Sequence, residues 1–419
     1  MSRAYVRDRA TGPAVVVERD GSLPTVTASG PVRHRRSLRR LTRVVAPVLA
    51  AACWWAPGAA AAPEIGLSDG PFRDAEPVAA TAADLGVTTM RVLVDWSTVE
   101  SRQGSFDFSV YDRFFAALEA RRIRPLLLVE NTPSWAQDPW DGCLDRRCPP
   151  AHRHLDAWRR FVEAVVRRYG TGARDVRPTG VEVWNEPNIT TNWTALGGPN
   201  VERYARILEF AAAGSRAALP ALPVVLGGLS PRAHTTHDGI TMERYVDDLY
   251  GLGAAGWFDA LGLHAYPHPE PGVDPGPSIA RARAAVGRLR AVRDRHRDEG
   301  VPIHITETGI ADPEEVAPGV ARGEVLGRLL DALAAEPDVR SIYVFRLRNP
   351  SGRLPGWGLT NPDLSPRSGY AELRARLTPA PAARKKRKTQ RRPKPGERWA
   401  SKETTGNRRH VPASLRRAG

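Results

Sequence analysis

Short runs of β-branched and aliphatic residues alternate with longer amphipathic stretches from residue 64 to residue 345. The short runs fall at 64–67, 89–94, 125–129, 180–184, 223–226, 260–263, 302–306 and 341–345. Near-continuous apolar runs of this length are the mark of strands buried on both faces, as in a parallel sheet. Between them the apolar positions recur at helical spacing. Tyr111, Phe114, Phe115 and Leu118 share one face, as do Leu155, Trp158, Phe161, Val162, Val165 and Tyr169, with Arg and Glu opposite. Such helices cover a sheet from outside. Eight strand–helix units in succession predict an α/β fold closed into a (β/α)8 barrel, the TIM barrel. The first strand–helix turn carries no Gly-x-Gly-x-x-Gly run, which argues against an open dinucleotide-binding sheet.

The chain has 419 residues and a formal charge of +15. That charge suggests a nucleic-acid partner until its location is considered. Residues 1–43 carry +7 and residues 384–419 carry +12, leaving −4 for everything between. The expected barrel is therefore mildly acidic, and no specific nucleic-acid partner is expected of it. Three parts follow: an N-terminal extension with a signal segment at 1–62, the barrel at 63–379 and a basic, disordered tail at 380–419. In the first part, Arg33-His34-Arg35-Arg36 precedes an Ala-rich apolar stretch interrupted by Pro47 and Pro57. The stretch reads as a secretory signal rather than a spanning helix, so membrane contact is expected to be transient and confined to that segment. The destination is secretion or the cell envelope. Of the three cysteines, Cys53 lies in that segment; Cys143 and Cys148 remain and would pair as a local disulfide in an exported chain.

Chemistry enters at two strand ends. The run at 181–188 reads Val-Glu-Val-Trp-Asn-Glu-Pro-Asn and delivers Glu186 to the C-terminal lip of the fourth strand. Alone it could be a helix-capping acid. The seventh run, however, ends Ile305-Thr306-Glu307-Thr308-Gly309 and presents a second carboxyl at the same mouth. Two carboxyl groups flanking one bond are the requirement for glycosidic cleavage.

With Asn185-Glu186-Pro187 and Thr306-Glu307-Thr308-Gly309 in that order, the sequence resembles the clan A glycoside hydrolases. The segments at 91–100, 132–136 and 356–359 look most like members of families 39 and 5, and the likeness covers 64–377. The resemblance implies a retaining double displacement on a β-glycoside, with Glu307 as nucleophile and Glu186 as acid and base. It implies that Arg91 is the basic neighbour of Glu307 and that Asn185 bonds the sugar 2-hydroxyl. It also implies that His264 or Tyr266 orients a catalytic carboxylate, with Tyr266 assigned to Glu307. Glu130 and Asn131, ending the third strand, are expected to contact substrate, and Glu130 stands as a rival acid.

Tryptophans following strands, Trp96, Trp135, Trp140, Trp193 and Trp357, are candidate platforms for sugar rings, with Trp135 and Trp193 foremost. The eighth strand departs from the resemblance: where a Trp commonly floors the sugar site, the text is Phe345-Arg346-Leu347-Arg348, and either arginine could signal an acidic sugar or a different subsite shape. The reading is a secreted hydrolase of O-glycosidic bonds, a monomer acting on a carbohydrate without metal or organic cofactor. A catalytically silent carbohydrate-binding barrel is the alternative.

Overall fold

The computed structural model describes residues 62–170, 177–232, 234–352 and 356–378. The signal segment and basic tail expected from the sequence lie outside the described residues, apart from the first part's last residue. Eight parallel strands close a barrel: β1 (Glu64–Ser68), β2 (Thr89–Asp95), β3 (Arg124–Glu130), β4 (Gly180–Val183), β5 (Val224–Leu229), β6 (Ala260–His264), β7 (Ile303–Thr308) and β8 (Val339–Phe345). Each pairs in parallel with its neighbours in sequence, and β1 pairs with β8 to close the ring. The expected TIM barrel is the fold observed.

Helices cover the ring: α1 (Ala75–Asp84), α2 (Trp96–Val99), α3 (Ser109–Glu119), α4 (Leu155–Gly170), α5 (Val201–Ala218), α6 (Met242–Gly251), α7 (Gly276–Arg295), α8 (Arg322–Ala334) and α9 (Tyr370–Leu377). The predicted apolar faces are the buried ones. Phe114 and Leu118 of α3, and Trp158, Phe161, Val162 and Val165 of α4, are fully buried. Among the described residues no helix is long and apolar enough to cross a membrane.

Two departures from the expected strands shape the mouth. β4 stops one residue early because Trp184 takes a left-handed backbone (φ 71), and Glu186 does the same (φ 42). Non-glycine residues rarely sit there, so surrounding contacts must impose it. The Trp184 indole N–H donates to the Asn192 carbonyl at 2.8 Å, and the Glu186 N–H to the Gly228 carbonyl at 3.0 Å. β5 ends three residues later than expected, after passing through Gly227 and Gly228. A Cβ at Gly228 would stand 2.2 Å from His264 Nε2, so only glycine lets β5 pass that ring.

Candidate active site

Parallel barrel strands bring their C-terminal ends to one mouth, and the chemistry gathers there. Arg91 on β2 is the hub. Its guanidinium is 3% exposed and donates through Nε and Nη2 to Glu182 at 2.5 and 3.1 Å, through Nη1 to Glu307 at 2.6 Å and to Ser68 at 3.1 Å, and through Nη2 to Asn185 at 2.8 Å. Burial alone would weaken its charge. The carboxylates of Glu182 and Glu307 outweigh that and push its pKa above the usual value, so it stays a guanidinium. Glu182 is fully buried and also accepts from the Gly228 N–H at 2.8 Å. Sequence reading passed it over, although it left a signal: a lone acid between valines in an inward-alternating strand must meet a cation inside the barrel.

Glu307 is gripped from both sides. Arg91 holds Oε1, and the Tyr266 hydroxyl donates to Oε2 at 2.8 Å. Burial and then the charge of Glu307 drive the Tyr266 phenol well above its ordinary pKa, which keeps it a donor. Glu186 has a different partner. His264 Nδ1 lies 2.9 Å from its Oε1, and Asn192 Nδ2 donates to its Oε2 at 2.7 Å. The same Nδ1 stands 3.7 Å from Glu307 Oε2. Burial would raise the Glu186 carboxyl, but the hydrogen bond and charge of His264 bring it below its ordinary value. Burial would lower His264, but the charge of Glu307 and the bond to Glu186 raise it. The two groups therefore share one proton across a 2.9 Å contact.

Asn192 was also missed. It lies in the loop after β4, and only the fold of that loop turns it back to Glu186. Asn131 does reach the mouth, donating through Nδ2 to Asp95 at 2.8 Å. Glu130 is 5% exposed, its Oε1 buried without a partner. Burial, with the charges of Asp95, Glu307 and Glu182, lifts its pKa to about 8 against the pull of Arg91.

The tryptophans need correction. Trp193 is 1% exposed, its ring packed 5.8 Å from Trp184 and 6.5 Å from Tyr204, because the loop after β4 folds into the barrel wall. It offers no face to a ligand. Trp135 donates to the Glu100 carbonyl and packs edge-on against Trp96 and His154, away from the cavities below. Trp96 is buried, and Trp140 projects into solvent. Of the five, Trp357 is the one that lines a mouth cavity, 5.0 Å from Tyr266 and 6.1 Å from Phe345. The arginines after β8 are occupied too. Arg346 donates twice to Asp69, and Arg348 pairs with Asp74 while covering the Phe72 ring. Their charges are already balanced, which removes the reason for expecting an acidic sugar there.

Two cavities meet at Glu307. A small one of 210 Å³ is lined by Ser68, Asp69, Arg91, Leu93, Glu130, Asn185, Glu307, Phe345 and Arg346, among others. A larger one of 940 Å³ is lined by Glu186, His264, Tyr266, Glu307, Phe345 and Trp357 and runs out past Arg232 and Thr241 to α7. Glu186 borders only the larger. Beside the mouth, Cys143 and Cys148 form the expected disulfide, with Cα atoms 5.5 Å apart.

Fold and site together define a (β/α)8 barrel with two hydrogen-bonded carboxyl groups facing one cleft. No protein-family model and no curated protein matches the chain. Solved structures do. It is similar to a family 39 glycoside hydrolase from the gut symbiont Bacteroides cellulosilyticus WH2, at 18% identity over 75% of this chain and 63% of that one, with a TM-score of 0.58. A family 39 β-xylosidase from Caulobacter crescentus matches at 19% identity over 75% and 72% of the two chains, TM-score 0.58. An exo-β-1,4-mannosidase from Opitutaceae bacterium strain TAV5 matches at 16% over 75% and 59%, TM-score 0.55. The chain thus spans less than two thirds of the first and third of these proteins, and the likeness is one of fold.

Proposed function

We propose that this chain is a retaining β-glycoside hydrolase whose nucleophile is Glu307 and whose acid and base is Glu186. The observation that carries the reading is the pair of carboxyl groups bracketing one imidazole nitrogen, one gripped by fixed donors and the other sharing a proton. Their facing oxygens cannot be farther apart than the sum of their distances to His264 Nδ1, 2.9 and 3.7 Å. That upper bound accommodates the about 5–5.5 Å separation of a retaining pair. The fold shared with a family 39 glycoside hydrolase, a β-xylosidase and an exo-β-1,4-mannosidase also supports it.

A proton donor must face the departing oxygen, so the leaving group belongs in the 940 Å³ cavity that Glu186 lines, and the sugar under attack in the 210 Å³ cavity. Glu307 then forms a bond from its carboxylate oxygen to the anomeric carbon as the glycosidic bond breaks. The proton shared by Glu186 and His264 passes through Glu186 to the leaving oxygen. Water next attacks the same carbon, giving its proton to Glu186, and Glu307 departs. Asn185, its Oδ1 fixed by Arg91, turns its amide to the sugar. Trp357 offers an aromatic wall on the leaving-group side. The chemistry uses these side chains without a metal or organic cofactor, and a monomer is sufficient, since every group comes from one chain. The basic and apolar segment at 33–62 and the disulfide support export to the outside or to the envelope.

The test is hydrolysis of aryl β-xylosides, β-mannosides and β-galactosides by the parent and by Glu307→Gln. Turnover by the parent alone, with a 2-fluoro glycoside trapped covalently on Glu307, is the expected outcome. Sugar binding without turnover across the panel would instead make the chain a silent carbohydrate-binding barrel, and inversion seen by NMR would defeat the double displacement.

A further inference from the structure

Glu130 is a carboxyl at the mouth that the mechanism leaves unused, and its position is unusual. It ends β3 with its side chain in the wall shared by the 210 Å³ cavity and a 530 Å³ cavity beyond it, both of which also include Leu93. It is 5% exposed, and its Oε1 is buried without a hydrogen-bond partner. A buried carboxyl oxygen without a partner costs stability, and charged it would cost much more. Glu130 is surrounded mainly by acids that would resist a further charge: Asp95 from β2, Glu182 from β4 and Glu307 from β7. Arg91 from β2 opposes them, but its donors are already directed at Glu182, Glu307, Ser68 and Asn185. The remaining charged groups lining its two cavities are largely paired off: Arg346 with Asp69, Arg147 with Asp145, and Arg146 with Asp95.

We infer that Glu130 is a neutral carboxylic acid in the glycone pocket, where its O–H donates to a hydroxyl of the sugar under attack and its carbonyl accepts from the same or a neighbouring hydroxyl. It is a specificity-determining residue rather than a rival proton donor, because it lies on the side of Glu307 that the leaving oxygen does not occupy. The inference rests on the proposed hydrolase reading for the identity of the pocket. It selects a neutral, hydroxyl-bearing glycone: a uronic acid carboxylate would be placed among Asp69, Glu130 and Glu307 with every nearby arginine already engaged. The pKa near 8 supports this state and adds a consequence. Below pH 8 the group is a donor. As pH rises through 8 it ionises, loses the donor and places a charge beside Glu307, so sugar affinity falls.

The experiment has two arms. In the first, kcat and KM for an aryl β-glycoside that the parent hydrolyses are measured from pH 5 to 9.5 for the parent, Glu130→Gln and Glu130→Ala. The expected result is a KM rise of about tenfold or more in E130A at pH 6, most of it recovered in E130Q. The parent's rise in KM above pH 8 should be missing from E130Q, whose amide cannot ionise. Equal KM values and a shared alkaline limb in all three proteins would overturn the inference. So would a loss of kcat in E130Q confined to poor leaving groups, which would make Glu130 an acid.

The second arm needs no turnover. Carboxyl 13C NMR of glutamate-labelled Glu307→Gln protein should contain a resonance titrating above the ordinary glutamate range that vanishes when Glu130→Gln is added. Xylose, mannose or galactose, bound by the protein, should move that titration upward. Sugar binding that leaves it unmoved overturns the Glu130 inference while the hydrolase reading stands. An upward shift in a protein whose parent hydrolyses nothing supports the contact and defeats the hydrolase reading.

Discussion

Glu307 and Glu186 lie on either side of one imidazole nitrogen, yet their surroundings differ in kind. Glu307 is held by donors that do not change state, a guanidinium anchored in turn by Glu182 and a phenol whose pKa is driven upward. Glu186 is held by His264, which can gain or lose a proton, and by the amide of Asn192. The first arrangement fixes a geometry and the second a proton inventory. Two identical side chains acquire different chemistry because one has rigid donors around it and the other a titratable neighbour.

That contrast can be broken at either end. The largest effect is expected from Glu186→Gln, which should cost about 10²–10⁴ in kcat/KM for glycosides with poor leaving groups. Leaving groups that need no protonation should be affected far less, and azide should restore turnover if Glu186 also serves as the base. A flat response across leaving groups would place the acid elsewhere. Arg91→Leu should follow closely. It strips the partner from the fully buried Glu182, and urea melts should report a loss of about 3–5 kcal/mol, together with activity. A variant that melts like the parent would mean that Arg91 is not the anchor.

Removing the hydroxyl in Tyr266→Phe deletes one donor to a charged acceptor. The expected cost is about 1.5–3 kcal/mol in transition-state binding, read from kcat/KM. The acid limb of the pH profile should keep its shape, since the proton inventory is untouched.

The shared proton makes a subtler prediction. Glu186 is lowered from 4.5, so its stabilisation is present above pH 4.5 and is lost as pH falls through its lowered value. His264 is raised from 6.5, so its stabilisation is present below pH 6.5 and is lost as pH rises through its raised value. A double-mutant cycle of Glu186→Gln and His264→Gln, followed by thermal melting, should therefore give its largest coupling between pH 4.5 and 6.5. Coupling independent of pH would remove the shared proton. Asn192→Ala should have the smallest effect, about 1 kcal/mol in kcat/KM, because His264 still holds the other carboxylate oxygen.

Much of the architecture was legible in the chain. Eight apolar runs became eight barrel strands, and the helical faces carrying Phe114, Trp158 and Phe161 became the packed ones. Glu186 and Glu307 could be placed at strand ends because strand boundaries are local events. Trp193 could not be placed. A tryptophan in a loop beside a sugar site and one buried in a barrel wall share the same local sequence, and the turn of the chain after Trp184 decides between them. Asn192 escaped for the same reason. Glu182 could have been found, since an acid at an inward strand position requires a buried cation. Arg346 invited the opposite error: an unpaired cation in the sequence is paired with Asp69 across the closure of the barrel.

By itself the sequence determined the periodicity, the order of the units and which side chains arrive at the mouth, because those follow from short-range alternation and from the parallel run of the strands. Tertiary structure decided what each arrival meets. Gly228 leaves room for His264, His264 shares a proton with Glu186, Arg91 is consumed by Glu182 and Glu307, and Glu130 Oε1 is left without a hydrogen-bond partner. Burial and charge act across space over a few ångströms, between residues as far apart as 91 and 307, and no local pattern encodes that distance.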